Sequence, residues 1–450
     1  MVSSVVWVSC LLLLARSGLP TLAAPTTLDT VVKTMSLRDK VGQMTQLDIH
    51  MLVVNSTVPT IMPAADIVAM CEEYGPVGSW LNSPSSTNAN PAAGVANGVP
   101  NWDAAEWRAV IREIQTASLD PACGGQPALF GLDSIHGANY VRHAGLPPAP
   151  VNQGATFDPE AARLVGALAA KDTRAAGIPW LFSPVLGIGV EPRWARHYET
   201  YGECPHLVSA MGVAAIDGIQ AVVEDGGVPR RAAASAKHFI GYSAPTGGLD
   251  RAPSLIPPRM LKQLYLPPFR AALHSESNPT GALTVMENYI ELDGVPMASS
   301  SEHLTDLLRD ELGFDGVLVT DYKEIENLHS WHHVAATESD AVAIAMTDTS
   351  IDMSMVPTDG SFGSLLPALV EAGDVDEARV DASVLRILAL KEKLGLMAEP
   401  VPPLSDPLVA TVGSAADWAA CKRGAARSLV LLKNDGAVPL QKGTCGWCCC

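Results

Sequence analysis

Asp321 follows the apolar run Val317-Leu318-Val319-Thr320 without a break. That puts a carboxylate at the lip of what reads as a buried strand. Seven other apolar runs precede polar residues or contain them. Asp133 and His136 follow the run at 128–132, and the run at 180–185 leads into a loop with Glu191, Arg193, Arg196 and Glu199. Lys237 and His238 lie at the end of the run at 234–239, and Glu287, Asn288 and Tyr289 follow 282–286. Tyr322 follows Asp321, and Asp352 sits inside the run at 351–355. Acids and an arginine bind vicinal hydroxyls through charge-assisted hydrogen bonds, and aromatic rings offer a stacking face. Brought to one rim, these residues could hold a sugar, and a carboxylate such as Asp321 could attack an anomeric carbon.

Each residue also has a plainer reading. An aspartate after a strand is commonly a helix cap or turn former. Lys237 and His238 could pair with a neighbouring acid, and one of Arg193 and Arg196 is expected in a structural ion pair. Asp352 reads as a buried, satisfied structural acid. Tyr289 and Tyr322 could be rim packing. The recurrence of polar residues at successive strand ends favours a site.

The elements that would position such a rim are legible. Candidate strands lie at 41–47, 77–81, 128–132, 180–185, 234–239, 282–286, 317–320 and 351–355. Continuous apolar character marks parallel strands buried on both faces. Amphipathic segments lie between them. In SSSEHLTDLLRDELGF, Leu304, Leu307, Leu308 and Leu312 share a face and Gly313 can stop the helix. DEARVDASVLRILALKEKLG repeats the design, with Val380, Val384, Ile387, Leu388 and Leu394 inward and Gly395 as the stop. Eight alternations predict an α/β fold, a (β/α)8 TIM-type barrel with its active face at the C-terminal ends of the strands. The barrel is expected over residues 25–397, followed by a proline-rich linker over 398–424. A new strand at 429–432 reads as the first of a C-terminal α/β sandwich domain, of which residues 425–450 would be a truncated start.

Composition narrows the partners. Apolar residues form 48% of the chain, enough for a large core, and the formal net charge is −18. Nucleic acid and anionic membrane surfaces need basic partners, so neither is expected. Residues 1–24 carry an apolar run of signal-peptide length followed by small residues. They predict secretion, with no membrane attachment after cleavage. The sequon Asn55-Ser56-Thr57 is compatible with that route. Of nine cysteines, Cys71, Cys123, Cys204 and Cys421 are spread through the body and cannot be paired from sequence alone. Cys445 and Cys448 form a CxxC with no βαβ context, which argues against a redox or zinc role. No metal or phosphate motif stands out, and no cofactor is expected.

Several of these segments resemble glycoside hydrolase family 3, of the β-glucosidase and exo-glucanase type. ALFGLDSIHG resembles the family's sugar-binding segment, and EPRWARHYETYGE its P-R-W-G-R loop with Ala195 in place of glycine. AAASAKHFIGY resembles the K-H-F segment, and GVLVTDY the strand ending in the nucleophilic aspartate, with Tyr322 where tryptophan is common. The resemblance spans about residues 28–440. It implies Asp321 as nucleophile of a retaining hydrolysis that releases β-linked glucose, or a similar sugar, from a non-reducing end. Asp133, Arg196, Lys237 and His238 would bind ring hydroxyls, Tyr289 would sit beside the nucleophile, and Tyr322 would line the same pocket. Arg196 or Lys237 would keep Asp321 ionised. The loop GYSAPTGGLDRAP lacks the histidine-aspartate pair of the hexosaminidase branch. The glucosidase branch takes its acid/base glutamate from a second domain, which is expected to be missing here. A non-catalytic sugar-binding barrel, or a lyase forming a Schiff base on Lys237, remains as an alternative.

Overall fold

The computed structural model describes residues 27–55, 60–84, 101–225, 228–274, 281–436 and 438–439. The expected signal segment, the last two residues of the sequon and the cysteine cluster at 445–450 lie outside them.

Eight parallel strands form the centre: β1 (Thr45–Asp48), β2 (Ser79–Leu81), β3 (Leu129–Leu132), β4 (Trp180–Leu181), β5 (Ala233–Phe239), β6 (Thr284–Glu287), β7 (Val317–Val319) and β8 (Ser354–Met355). Their order is β7-β6-β5-β4-β3-β2-β1-β8, and every neighbouring pair is parallel. A parallel bridge between Val319 and Met353 joins the two ends and closes the barrel. Helices follow the strands in turn: α1 (Ala64–Tyr74), α2 (Ala104–Ser118), α3 (Pro159–Ala175), α4 (Pro205–Ile219), α5 (Leu266–Leu273), α6 (Glu302–Glu311), α7 (Glu324–Ser330), α8 (Glu338–Asp348), α9 (Ser361–Ala372) and α10 (Glu377–Lys393).

Every residue of β3, β5, β6 and β7 is buried, the polar Lys237, His238 and Glu287 of β5 and β6 as well as the apolar runs of β3 and β7. Trp180 and Phe182 pack inside the barrel, while Phe130 and Phe239 meet Trp107 of α2 and Phe269 of α5 between strands and helices. Gly131 makes room for one of them: a Cβ there would meet the Phe182 ring at 2.2 Å. The Trp180 Nε1–H donates to Thr284 Oγ1 at 2.9 Å, so the indole is satisfied inside the barrel. The two helices read from leucine and valine periodicity form as predicted. Leu304, Leu307 and Leu308 are buried in α6, and Val380, Val384, Ile387 and Leu388 in α10.

Three features differ from the sequence reading. Residues 41–43 end a helix (Leu37–Gln43, capped by Ser36), and the first strand starts at Thr45. A short apolar run does not by itself separate a buried helix end from a strand. The presumed linker is partly helical and packed: a helix (Ala415–Arg427) lies on the barrel, with Lys171 paired to Asp417 at 3.0 Å and Arg427 to Asp158 at 2.6 Å. Residues 429–432 form no strand; Leu429 and Leu432 are 81% and 93% exposed. A lone apolar segment has no ladder to join among the described residues.

Candidate active site

Polar residues gather at the C-terminal ends of the strands, around a cavity of about 580 Å³. Its wall includes Asp133 after β3, Tyr289 after β6, and Asp321 and Tyr322 after β7. Asn82, Arg251, Lys323, Asn327 and Thr358 also belong to the polar part of that wall. Arg196, Lys237 and His238 do not line it; they stand behind it, held by acids.

Lys237 and His238 are buried in β5. The Lys237 ammonium donates to Asp133 Oδ1 at 2.5 Å, which links the ends of β5 and β3 across the intervening β4. His238 Nε2 lies 3.4 Å from Asp321 Oδ2. Burial, aided by the Arg196 and Lys237 charges, pushes the His238 imidazole well below its usual range, so it is neutral in this setting. Arg196 forms a two-pronged pair with Glu199, at 2.9 and 2.8 Å. Arg193 pairs the same way with Glu191, so both arginines of that loop are ion-paired, where one was expected. His136 turns to the Pro147 carbonyl at 3.0 Å.

Asp321 is fixed at both of its ends. Its backbone N–H donates to Glu287 Oε1 at 2.8 Å, and its own Oδ1 accepts the Tyr322 N–H at 2.8 Å. The Tyr289 hydroxyl also reaches the carboxylate. Arg196 and Lys237 favour its ionised form, as expected from sequence, but the balance differs from that expectation. Burial outweighs both cations and holds the Asp321 carboxyl above the usual aspartate range. Burial, with the Asp321 charge beside it, likewise pushes the Tyr289 phenol well above its usual range, so it remains a hydrogen-bond donor.

Asp352 is the structural acid that the sequence suggested. It accepts from Arg309 at 2.7 Å, Arg386 at 3.0 Å, Ser383 at 2.8 Å and the Leu318 amide at 2.9 Å, on the side of β8 facing the helices.

Sequence reasoning gave no role to several polar residues at the cavity, Asn82 and Arg251 among them. Arg251 stands with its guanidinium 3.9 Å above the Tyr289 ring centroid. Its backbone is left-handed, with φ 63°, an unusual conformation for a side chain of this size. The neighbouring Asp250 is anchored by the Trp194 indole at 2.9 Å and the Tyr242 hydroxyl at 2.7 Å, which holds the turn. Asn82 donates to Asp48 Oδ2 at 2.6 Å and ties the β1 and β2 ends together. Arg251 occurs in GYSAPTGGLDRAP, a loop whose sequence was read only for the absence of a histidine-aspartate pair.

Comparison with known proteins agrees with this geometry. Residues 36–390 match the family model described as the glycosyl hydrolase family 3 N-terminal domain. The chain is 43% identical over 426 residues to a lysosomal beta glucosidase of Dictyostelium discoideum, covering 94% of this chain and 50% of that protein. It is 32% identical over 340 residues to a periplasmic beta-glucosidase of Salmonella typhimurium, covering 74% and 42%. Among solved structures, a β-glucosidase from Erythrobacter marinus superposes with a TM-score of 0.77 at 28% identity, covering 92% of this chain and 51% of that one. A β-glucosidase from Listeria innocua in complex with glucose gives 0.75 at 27% identity, covering 92% and 52%. The chain thus spans about half the length of these relatives.

Proposed function

The chain belongs to glycosyl hydrolase family 3, and we propose from that premise that residues 25–397 form the barrel of a β-glucosidase-type hydrolase. Its substrate would be a glucoside or oligosaccharide with β-linked glucose, or a similar sugar, at the non-reducing end. The reading is supported most by one observation: the enclosed Asp321 carboxylate stands at the cavity wall, oriented by the Tyr322 amide and Tyr289. In the proposed retaining reaction an Asp321 oxygen attacks the anomeric carbon. The bond to the leaving-group oxygen breaks, and a glycosyl ester forms. Water then attacks the same carbon, loses a proton and frees the carboxylate. Asp133 would accept from sugar hydroxyls while Lys237 holds it in place. Arg196, Lys237 and His238 would act from behind the wall by orienting the acids, and Tyr322 would form the rim.

The resemblance assigns the proton donor for the leaving group to a glutamate of a second domain, and we retain that assignment as part of the proposal. A non-cytosolic setting fits the names of the lysosomal and periplasmic relatives and the disulfide between Cys71 and Cys123. No helix among the described residues is long and apolar enough to cross a membrane. The Schiff-base alternative is disfavoured because Lys237 is bound to Asp133, which occupies the amine that a carbonyl would need.

An aryl β-glucoside tests the proposal, because its leaving group needs little protonation. Turnover by the protein and its loss to background in Asp321→Asn are expected. Undiminished turnover in the variant would remove Asp321 from the nucleophile's role.

A further inference from the structure

A second carboxyl lies behind Asp321. Glu287 closes β6 and has no exposed surface. Its Oε1 accepts the Asp321 amide at 2.8 Å. Its Oε2 is enclosed and finds no hydrogen-bond donor among the described residues. The cations of the site are engaged elsewhere, Lys237 with Asp133 and Arg196 with Glu199.

A third carboxyl belongs to the same cluster. Glu324 starts α7, three residues after Asp321, and is buried. Unlike Glu287 it has side-chain partners. Asn327 Nδ2 donates to it at 2.5 Å, and His332 Nε2 lies 3.6 Å away. His332 Nδ1 reaches Glu291 at 3.0 Å on the other side. The strand paired with β6 sets Phe239 against Glu287, and the residues just before it are Lys237 and His238. On the cavity side stand Tyr289 and Arg251.

Asp321 borders the cavity, while Glu287 and Glu324 are enclosed, and the charges of the three act on one another. Three such carboxyls do not all ionise, because like charges at low dielectric repel strongly. The proton goes to the one with the poorest support for charge. Asp321 has Tyr289, the Tyr322 amide and the nearby fields of Arg196 and Lys237. Glu324 has His332 and Asn327. Glu287 has the Asp321 backbone amide on Oε1 and no side-chain donor on Oε2 among the described residues. Burial, with the Glu324 charge adding to it, pushes the Glu287 carboxyl well above the usual range.

We propose that Glu287 is a neutral positioning residue: its protonated carboxyl holds the Asp321 backbone and leaves Asp321 as the charge presented to the sugar. The role rests on the reading of Asp321 as nucleophile. When Glu287 loses its proton, a second charge appears beside Asp321, and activity declines on the basic side of the pH profile.

Glu287→Gln keeps a carbonyl oxygen for the Asp321 amide and cannot ionise. The full chain is measured in two ways. Infrared spectroscopy of the wild type near neutral pH should show a protonated-carboxyl stretch that loses intensity in Glu287→Gln. The profile of kcat/KM on an aryl β-glucoside should stay within about threefold of wild type at its maximum, with the basic limb moved to higher pH. Glu324→Gln, which removes the neighbouring charge, should move the basic limb of the otherwise wild-type protein to lower pH. An undiminished carboxyl band, superimposable profiles, or a loss beyond about a hundredfold at every pH in Glu287→Gln would each overturn the proposal. If the wild type turns over no aryl glucoside, the hydrolase reading fails by itself, and the infrared band still decides the protonation of Glu287.

Discussion

Burial and two cations oppose each other at Asp321, and burial prevails. The carboxyl is active as a nucleophile only when ionised, so activity should fall as the pH drops through a value above that of a free aspartate. Arg251 is the complementary case, a guanidinium stacked on Tyr289 and facing the cavity. Arg251→Ala should raise KM for an aryl β-glucoside about tenfold, the worth of one charge-assisted hydrogen bond, with a smaller change in kcat. Arg251→Lys should not restore it, since an ammonium does not reproduce the planar stack. Steady-state kinetics on both variants checks this, and an unchanged KM in Arg251→Ala would remove Arg251 from substrate contact.

Single contacts join whole elements at two places away from the cavity. Asp352 of the β8 segment binds Arg309 of α6 and Ser383 and Arg386 of α10. Asp352→Ala would leave two partly buried guanidinium groups without their carboxylate, at a cost of about 3–5 kcal/mol. A fall in the urea midpoint of that size is expected, and a change within error would show that the arginines find other partners. The second place is the disulfide between Cys71 of α1 and Cys123, which closes a loop of 52 residues. Chain entropy assigns such a loop roughly 4 kcal/mol. Cys71→Ser with Cys123→Ser should therefore lower the unfolding midpoint clearly, and reductant should have the same effect on the wild type but none on the double variant.

At the scale of the whole molecule, a buried amine makes stability depend on pH. Lys391 of α10 is fully buried, donates to Gln43 Oε1 at 2.5 Å, and is held down to about 7 by burial. Above the unfolded lysine value, near 10.4, the amine is neutral in both states and costs nothing. Between there and about 7 the unfolded chain binds a proton that the folded protein refuses. Stability then falls with falling pH at roughly 1.4 kcal/mol per unit. Below about 7 both states are protonated and the penalty is constant. Lys391→Met should therefore gain on the wild type as the pH is lowered from 9 to 7 and hold that gain at lower pH, as read from urea midpoints. A gain independent of pH over that range would place the Lys391 value elsewhere. The packed segment after the barrel adds to the same whole: Arg108 pairs with Asp406 at 2.7 Å, so this stretch is fastened to the barrel by a buried ion pair.

By itself the sequence determined the barrel and the order of polar residues along its rim. Those features are local: an unbroken apolar run marks a strand buried on both faces, a leucine or valine period marks a helix, and the residue after each strand falls on one rim. Asp133, Tyr289, Asp321 and Tyr322 were legible for that reason. The tertiary structure decided which polar groups face the cavity and which stand behind it, because that depends on partners far apart in sequence. Lys237 meets Asp133 across 104 positions, and Asp321 meets Glu287 across 34. It also decided the direction in which Asp321 titrates, since desolvation and charge compete through space and neither can be summed along a chain. Glu287 shows the difference most plainly. In sequence it is one of three polar residues after a strand, and in the folded protein it is an enclosed acid that touches the backbone of Asp321.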